Sequence, residues 1–328
     1  MNRNGRIGVV TVAYNSEKVI DEFLASLLHQ SYSNFKLFVV DNASSDGTLA
    51  AIEAHTDPRV VTIKSPINVG VAEGNNIGIR AALKEGCSYI LLINNDTAFG
   101  PDLLAKLFDG LKKYQCHMIV PKILYSNPSN KIWCAGGTFS RLRGLSRHFG
   151  FNQKDDGTFD QPRIVPYSPT CCMLIRKAVF ARIGLMDANY FVYFDDTDFC
   201  LRAYRAGMKL FYVPSATIYH KVSSLIGFQS DTALRYLSRN HVYYVMKNFV
   251  MWTALYYLPI CQAQLFYRCL ISKNTIRALF IAEKAFWEGI ALTFARPQPA
   301  KLGSFSSQQA SLPVTQGSCS SGICAKQR

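Results

Sequence analysis

Residues 35–48 read FKLFVVDNASSDGT: a β-branched and aromatic run, Phe35 to Val40, stopped by a polar cluster that opens on Asp41 and closes on Gly47. The run has the length of a strand and the cluster the composition of a turn. The same grammar recurs on both sides. Ile7–Ala13 is a β-branched run ending at Tyr14-Asn15-Ser16, and Tyr89–Ile93 is an apolar run ending at Asn94-Asn95-Asp96. Between them lie segments with helical spacing: Glu17 to Gln30, with Val19, Ile20, Phe23, Leu24 and Leu27 on one face; Thr48–Ala54; and Ala72–Glu85. A further strand is expected at Val60–Lys64. Strands alternating with helices at this spacing predict an α/β fold with a mainly parallel central sheet and helices on both faces. Ligands of such sheets sit at the carboxyl ends of strands. The three polar clusters therefore mark one candidate site.

Beyond Asp96 the spacing predicts a helix over Asp102–Tyr114 and a strand over Met118–Ile123. Residues 126–165, rich in Gly, Ser and basic residues with an Asp155-Asp156-Gly157 turn, read as an extended loop or hairpin region. Order returns with a strand at Met173–Ile175, a helix at Lys177–Ile183, an acidic cluster at Asp195-Asp196-Thr197-Asp198, a helix to Ala206 and a strand at Leu210–Val213. The expected organisation is a catalytic domain over 1–230, with a nucleotide-binding part (1–125) and an acceptor part (126–230). A helical, membrane-associating region over 231–295 and a disordered tail over 296–328 follow.

The chain has 328 residues, of which 49% are hydrophobic and 18% charged. A sizeable core is available, so a mainly disordered or collagen-like chain is excluded. The net charge of +14 is uneven: residues 221–328 hold twelve basic and three acidic side chains, giving +9 there. An anionic partner is expected for that third. A nucleic-acid partner is not, since charge alone supports it and no binding motif does. Ten cysteines are scattered without CxxC spacing, which supports neither a zinc ribbon nor a thioredoxin motif and suits a thiol-reduced, cytoplasmic chain. The first apolar run is too short and too β-branched for a signal peptide.

Three groups of residues carry candidate chemistry. Asp96 ends an apolar strand, where an isolated carboxylate is costly to bury. It, or Thr97, reads either as the cap of the helix after Pro101 or as a ligand for a hard divalent cation that bridges phosphates. In Phe194-Asp195-Asp196-Thr197-Asp198-Phe199, three carboxylates within four residues repel one another, so at least one is expected to have a raised pKa. A solvated helix start with Asp198 capping Cys200–Ala206 accounts for one acid and leaves two among aromatic residues, where a general base is expected. His220, after Ala216-Thr217-Ile218-Tyr219, is a lone histidine at a strand end. The spaced glycines of Asn68–Gly78 match neither GxGxxG after a strand nor a P-loop. They permit close backbone approach at a helix start, where an anion can bind.

Taken together, Thr11-Val12-Ala13-Tyr14-Asn15, Val40 through Thr48, Asn68 to Gly78, Leu92 to Asp96, Tyr193 through Arg202 and Gly207 through Pro214 to His220 resemble family 2 glycosyltransferases, most closely their rhamnosyltransferase-like branch. The resemblance covers about residues 5–250 and rests on motifs in a fixed order. It implies a GT-A fold, a nucleotide-diphospho-sugar donor, a divalent metal (Mg²⁺ or Mn²⁺) and inversion at the anomeric carbon. Carried over by position, it implies Thr11, Tyr14, Asn15, Asp41, Asp46, Asn68, Gly70, Asn75 and Asn95 at the donor, with Asn95 facing the ribose. It implies Asp96 and His220 at the metal and Asp196 as general base, with Asp195 where Glu is usual. Asn94 stands where many members carry a second carboxylate. Thr170-Cys171-Cys172 replaces small residues in a stretch expected to line the acceptor pocket. The expected acceptor is a lipid-linked or nascent glycan of the cell envelope. A hexosyl or N-acetylhexosaminyl transferase, or a non-catalytic nucleotide-sugar-binding protein at the membrane, are the alternatives.

Asn248–Tyr267 is a 20-residue uncharged stretch, long enough to span a bilayer, but it contains Pro259, Gln262 and Gln264. An interfacial helix is favoured, with Trp252 and Tyr256 in the headgroup zone and Lys247, Arg268, Lys273, Arg277 and Lys284 facing anionic lipid. The chain is thus expected at the inner face of the cell membrane, bound peripherally. Arg235, Arg239 and Asn240 are expected to reach a donor or lipid phosphate.

Overall fold

A computed structural model describes residues 5–140, 143–221, 230–270 and 275–295. The tail 296–328, Lys273 and the side chain of Arg268 lie outside the described residues. The chain opens with β1 (Ile7–Ala13), α1 (Ile20–Leu28), β2 (Phe35–Asp41), α2 (Thr48–Glu53), β3 (Val60–Lys64), α3 (Gly70–Lys84) and β4 (Tyr89–Ile93). It continues with β5 (Thr97–Phe99), α4 (Leu103–Lys113), β6 (Met118–Tyr125), β7 (Ile132–Cys134), β8 (Gly137–Ser140), β9 (Leu145–His148) and β10 (Arg163–Ile164). Next come β11 (Cys172–Arg176), α5 (Lys177–Ile183), a 3₁₀ turn (Ala188–Tyr190), α6 (Asp195–Arg205) and β12 (Leu210–His220). The helices α7 (Asp231–Asn248), α8 (Met251–Leu270) and α9 (Thr275–Phe294) end the described chain.

The central sheet runs β10-β12-β6-β11-β4-β1-β2-β3. β3, β2, β1 and β4 are mutually parallel, as are β6 and β12, while β11 runs antiparallel between β4 and β6. Successive residues of β1 face opposite sides. Val9 joins a core with Phe23 of α1 and Leu107 of α4, and Val10 joins a second core with Ile79 of α3 and Phe199 of α6. Both faces of the sheet are thereby covered, which explains why its strands read as continuous apolar runs rather than as alternations.

Four local expectations change. Asp96 and Thr97 do not cap a helix: β5 intervenes, and Asp102 is the residue at the cap of α4. The last strand is far longer than Leu210–Val213 because it continues past an irregularity between Val213 and Thr217 to pair His220 with Tyr125. Residues 126–165 contain β7, the hairpin β8–β9 and β10. Their acidic turn is tied down, since the buried Lys122 ammonium binds Asp155 and Asp160. Finally, the glycines of α3 serve packing more than anion binding. A Cβ on Gly78 would lie 2.3 Å from Val10 Cγ1, so glycine lets the helix sit directly on β1.

A third core joins α7, α8 and α9 to α6 and the segment before it. Val242, Tyr244, Tyr257, Ala282 and Phe286 pack with Tyr190, Phe194 and Leu201. The eight described cysteines are buried and form no disulfide with one another.

Candidate functional site

On the nucleotide side, the carboxyl ends of β1, β2 and β4 are fastened by one chain of hydrogen bonds. Asn95 Nδ2 donates to Ser16 Oγ (3.0 Å) and to the Val12 carbonyl (3.3 Å). Ser16 N donates to Thr48 Oγ1 (2.6 Å), which donates to Asp46 Oδ1 (2.5 Å). Asn15, at φ 50, accepts from Ser45 N (2.8 Å). Asn68 Oδ1 accepts from Asn42 Nδ2 and from Gly70 N, both at 2.9 Å. Asp41 is buried at the end of β2 and accepts weakly from Ser44 N (3.4 Å), while Tyr14 stands 42% exposed. These residues converge on one edge. Some expected contacts are nonetheless displaced. Thr11 is fully enclosed in β1, and Asn75 is buried on α3. Thr11 is therefore not a surface that a donor touches. The Asn95 amide nitrogen and the Asp46 carboxylate are committed to protein partners that stiffen the loops.

The metal-side pair comes together from distant segments. Asp96 follows β4 and His220 ends β12, because β5 pairs His220 with Thr97. His220 Nε2 lies 3.1 Å from Asp96 Oδ1, and both side chains are nearly buried. Among the described residues His220 Nδ1 has no hydrogen-bond partner. Also among the described residues, no group of three or more His, Cys, Asp or Glu side chains is placed to hold a metal ion. A carboxylate and an imidazole at one point are a donor set that would suit a divalent cation with further ligands from outside the protein.

A run of ring contacts links this pair to the acids of α6. Trp133 lies edge-on to His220 and to His148, with centroids 4.8 Å apart in each case. His148 stacks on Tyr167 (5.8 Å), and Tyr167 Oη donates to Asp196 Oδ2 (3.0 Å). Thr197 N (2.6 Å) and Thr197 Oγ1 (3.1 Å) donate to the other oxygen of Asp196. Burial raises the Asp196 carboxyl, opposed by the Tyr167 hydrogen bond, His148 and Thr197. Burial and then the neighbouring Asp196 push Asp195 up to about 8. Two buried carboxylates this close resist ionising together, so the pair keeps a proton to higher pH than an isolated carboxylate would. The Cys171 thiol is pushed up by burial and, among other neighbours, by both Asp96 and Asp196, which brings it within electrostatic reach of the two. Thr170, Cys171 and Cys172 are all buried and present no open surface.

The acidic cluster is not a solvated helix start. Asp198 is fully buried inside α6, which begins at Asp195, and it binds Arg202, Lys247 and Asn248. The charges of Arg202 and Lys247, with the Lys247 and Asn248 hydrogen bonds, outweigh the cost of burial and hold its carboxyl low. The turn feeding α6 has Phe191 at φ 64, Tyr193 at φ 65 and Phe194 at φ 67. Each such residue costs on the order of 1–3 kcal/mol. Arg239 and Asn240 do not face a phosphate. Arg239 Nη2 donates to the carbonyls of Asn189 (2.6 Å) and Tyr190 (2.9 Å), and Asn240 Nδ2 to those of Tyr190, Val192 and Tyr193. Arg235 pairs with Glu288 at 3.0 Å.

Beside His148 a cavity of about 510 Å³ is lined by Ser146, Phe149, Phe151, Gln153 and Phe159 among others. Trp133, His148 and Tyr167 carry no motif in the sequence. They come from the region of short antiparallel strands, and only the sheet brings them to the acids.

The sequence profile described as "Glycosyl transferase family 2" matches residues 8–184, slightly more than half of the chain. Over 207 residues the chain is 28% identical to the low-salt glycan biosynthesis hexosyltransferase Agl10 of Haloferax volcanii, covering 62% of this chain and 63% of that relative, a little under two thirds of its length. Over 231 residues it is 25% identical to the N-acetylglucosaminyl-diphospho-decaprenol L-rhamnosyltransferase of Mycobacterium tuberculosis, covering 65% of this chain and 75% of the relative. Among solved structures, the mannosyltransferase PcManGT from Pyrobaculum calidifontis in complex with GDP-Man and Mn²⁺ aligns with a TM-score of 0.53 at 17% identity, over 90% of this chain and 76% of that one. The family match spans more than half of the chain, and the chain belongs to glycosyltransferase family 2, with a GT-A fold.

Proposed function

We propose that this nucleotide-sugar transferase moves L-rhamnose from a nucleoside-diphosphate donor to a hydroxyl of a lipid-linked or nascent glycan, with inversion at the anomeric carbon. The observation that carries the reading is the continuity of the site. Asp96 and His220 on one side and Asp196 on the other are joined through Trp133, His148 and Tyr167. Asp196, anionic and held by three hydrogen bonds, accepts the proton of the acceptor hydroxyl as it attacks the face opposite the leaving group. A single displacement requires one base and no protein nucleophile. Asp96 and His220 would hold a Mg²⁺ or Mn²⁺ ion, whose chemistry would be to neutralise charge on the diphosphate. Tyr14, Asn15, Asp41, Asp46, Asn68, Gly70 and Asn95 shape the nucleotide edge by direct contact or by stiffening its loops.

Rhamnose is favoured by the name of the mycobacterial relative, and that relative's lipid-linked acceptor supports the same class here. The archaeal relative is a hexosyltransferase, so hexose is the second reading. Nucleoside diphosphate release should be measured across dTDP-L-rhamnose, GDP-mannose, UDP-glucose and UDP-N-acetylglucosamine with Mn²⁺ and a GlcNAc-diphospho-polyprenol acceptor. Fastest release with the rhamnosyl donor is expected. Faster turnover of a hexosyl donor selects the second reading, and no release from any donor sinks both.

The acceptor class implies a membrane surface, and the C-terminal helices support one. Among the described residues no helix is long and apolar enough to cross a membrane. Trp252 and Ile276 are each 83% exposed, and Phe280 is 74% exposed. The basic contribution is smaller than the charge count implies. Lys247 binds Asp187 and Asp198, and Arg277 binds Asp231. The chain therefore lies peripherally on the inner face of the membrane, held by apolar insertion more than by charge. Flotation with phosphatidylglycerol-containing vesicles should recover the full-length protein at low salt. Part of that binding should persist at 0.5 M salt, where the Debye length is only about 4 Å. Trp252→Asp should reduce it. A protein that fails to float even at low salt contradicts this placement.

A further inference from the structure

The turn before α6 contradicts its own sequence. Three aspartates occupy the first four helical positions and any of them could serve a cap, yet the residue at the cap is Phe194, left-handed and without a side-chain cap bond. At Phe191 the angles are φ 64 and ψ −62, and Val192 N donates to the Tyr190 carbonyl at 2.7 Å. That is a γ-turn of the rare, strained hand. A chain entering a helix with good capping residues has a relaxed route available. It persists in a strained one only where the surroundings over-determine it.

The surroundings converge from α7 and α3. Asn240 is 0% exposed, and its single amide nitrogen reaches the carbonyls of Tyr190 (2.8 Å), Val192 (2.7 Å) and Tyr193 (2.9 Å). Tyr236 stacks on Phe191 at 4.9 Å, and His241 stacks on Phe194 at 5.4 Å. The Phe191 carbonyl accepts from Val71 N at 2.6 Å, where α3 begins. Gly70 there has φ +81, and a Cβ on it would lie 2.5 Å from that same carbonyl. The next residues after this clamp are Asp195 and Asp196.

We propose that Asn240 is a positioning residue for the transfer reaction: through three backbone carbonyls it holds the strained Tyr190–Phe194 turn that sets where the Asp196 carboxylate stands. This rests on the reading of Asp196 as general base. It also makes α7 part of the catalytic apparatus.

The test uses the full-length protein, the donor giving the fastest turnover in the panel above, and the GlcNAc-diphospho-polyprenol acceptor. Asn240→Ala should lower kcat per folded molecule about 10- to 100-fold, the scale of a misplacement near 1 Å. Donor KM should stay within about threefold, because the nucleotide edge is fastened by side chains that follow β1, β2 and β4 in the chain. Asn240→Ser, which keeps one donor, should lose less. It carries the test if the alanine variant does not fold, as judged by circular dichroism and thermal melting. Adding Tyr193→Gly to Asn240→Ala should recover about fivefold or more of the lost kcat, since glycine adopts positive φ without strain. A merely structural asparagine would lower the melting temperature and leave kcat per folded molecule unchanged. The proposal is overturned by a folded Asn240 variant with kcat within about twofold of the parent, or by a loss that Tyr193→Gly does not recover. Failure of the base reading looks different: transfer would then survive Asp196→Asn, whatever the Asn240 variants do.

Discussion

Asp196→Asn is expected to lower turnover about 10²–10⁴-fold, the range for removing a general base. At about 1.4 kcal/mol per tenfold, that is a barrier increase of roughly 3–5 kcal/mol. Shape is preserved: the single amide oxygen can still accept from Thr197 N, and the amide nitrogen can donate to Tyr167 Oη in place of the bond that Oη donated, so donor affinity should change little. The pH profile adds a second readout. The parent should lose kcat/KM as pH falls and Asp196 takes up a proton. Burial moves that limb above the ordinary carboxylate range, although hydrogen bonds from Tyr167 and Thr197 oppose it. Burial and then the neighbouring Asp196 push the Asp195 carboxyl up to about 8. Asp195→Asn should therefore leave the acid limb nearly in place and remove any inflection near pH 8. Near-normal transfer by the Asp196→Asn protein would show that the proton goes elsewhere.

The parts of this site that the sequence discloses are those governed by local rules. Val60–Lys64 and Tyr89–Ile93 form strands with the bounds their apolar runs imply. The polar clusters after β1, β2 and β4 share an edge because parallel strands end on the same side. What stayed hidden depends on partners far along the chain. Asp198 looks like a helix cap until Lys247 and Asn248 close on it from α7. Trp133, His148 and Tyr167 lie in segments without usable periodicity, and antiparallel pairing brings them in. The basic C-terminal third looks lipid-seeking by its charge count, yet Arg235, Lys247 and Arg277 are matched by Glu288, Asp187, Asp198 and Asp231. Composition records how many charges a segment has, and only tertiary structure records which of them face one another. The same holds for Asn240, whose side chain would suit a phosphate and instead satisfies three carbonyls.

Asp96→Ala is the second change expected to have a large effect, and it separates donor binding from proton transfer. The metal site as proposed has two protein ligands, one of them anionic, with Asn94 contributing no charge. Losing the carboxylate leaves only the imidazole, which supplies no negative charge to balance a divalent ion. Enhancement of nucleoside diphosphate binding by Mn²⁺ should fall about 10- to 100-fold or more, since even groups that merely support a ligand carry effects of that size. His220→Ala should do less, because the charge remains. Electron paramagnetic resonance of added Mn²⁺ reads the loss without any turnover, and Trp133, 4.8 Å from His220, offers a local fluorescence signal. The outcome is diagnostic against Asp196→Asn. That variant should keep metal-enhanced nucleotide binding and lose transfer, whereas Asp96→Ala should lose both. Full transfer by the parent chain in excess chelator would remove the metal from the reaction and leave Asp96 and His220 as a buried polar pair that only braces the ends of β4 and β12.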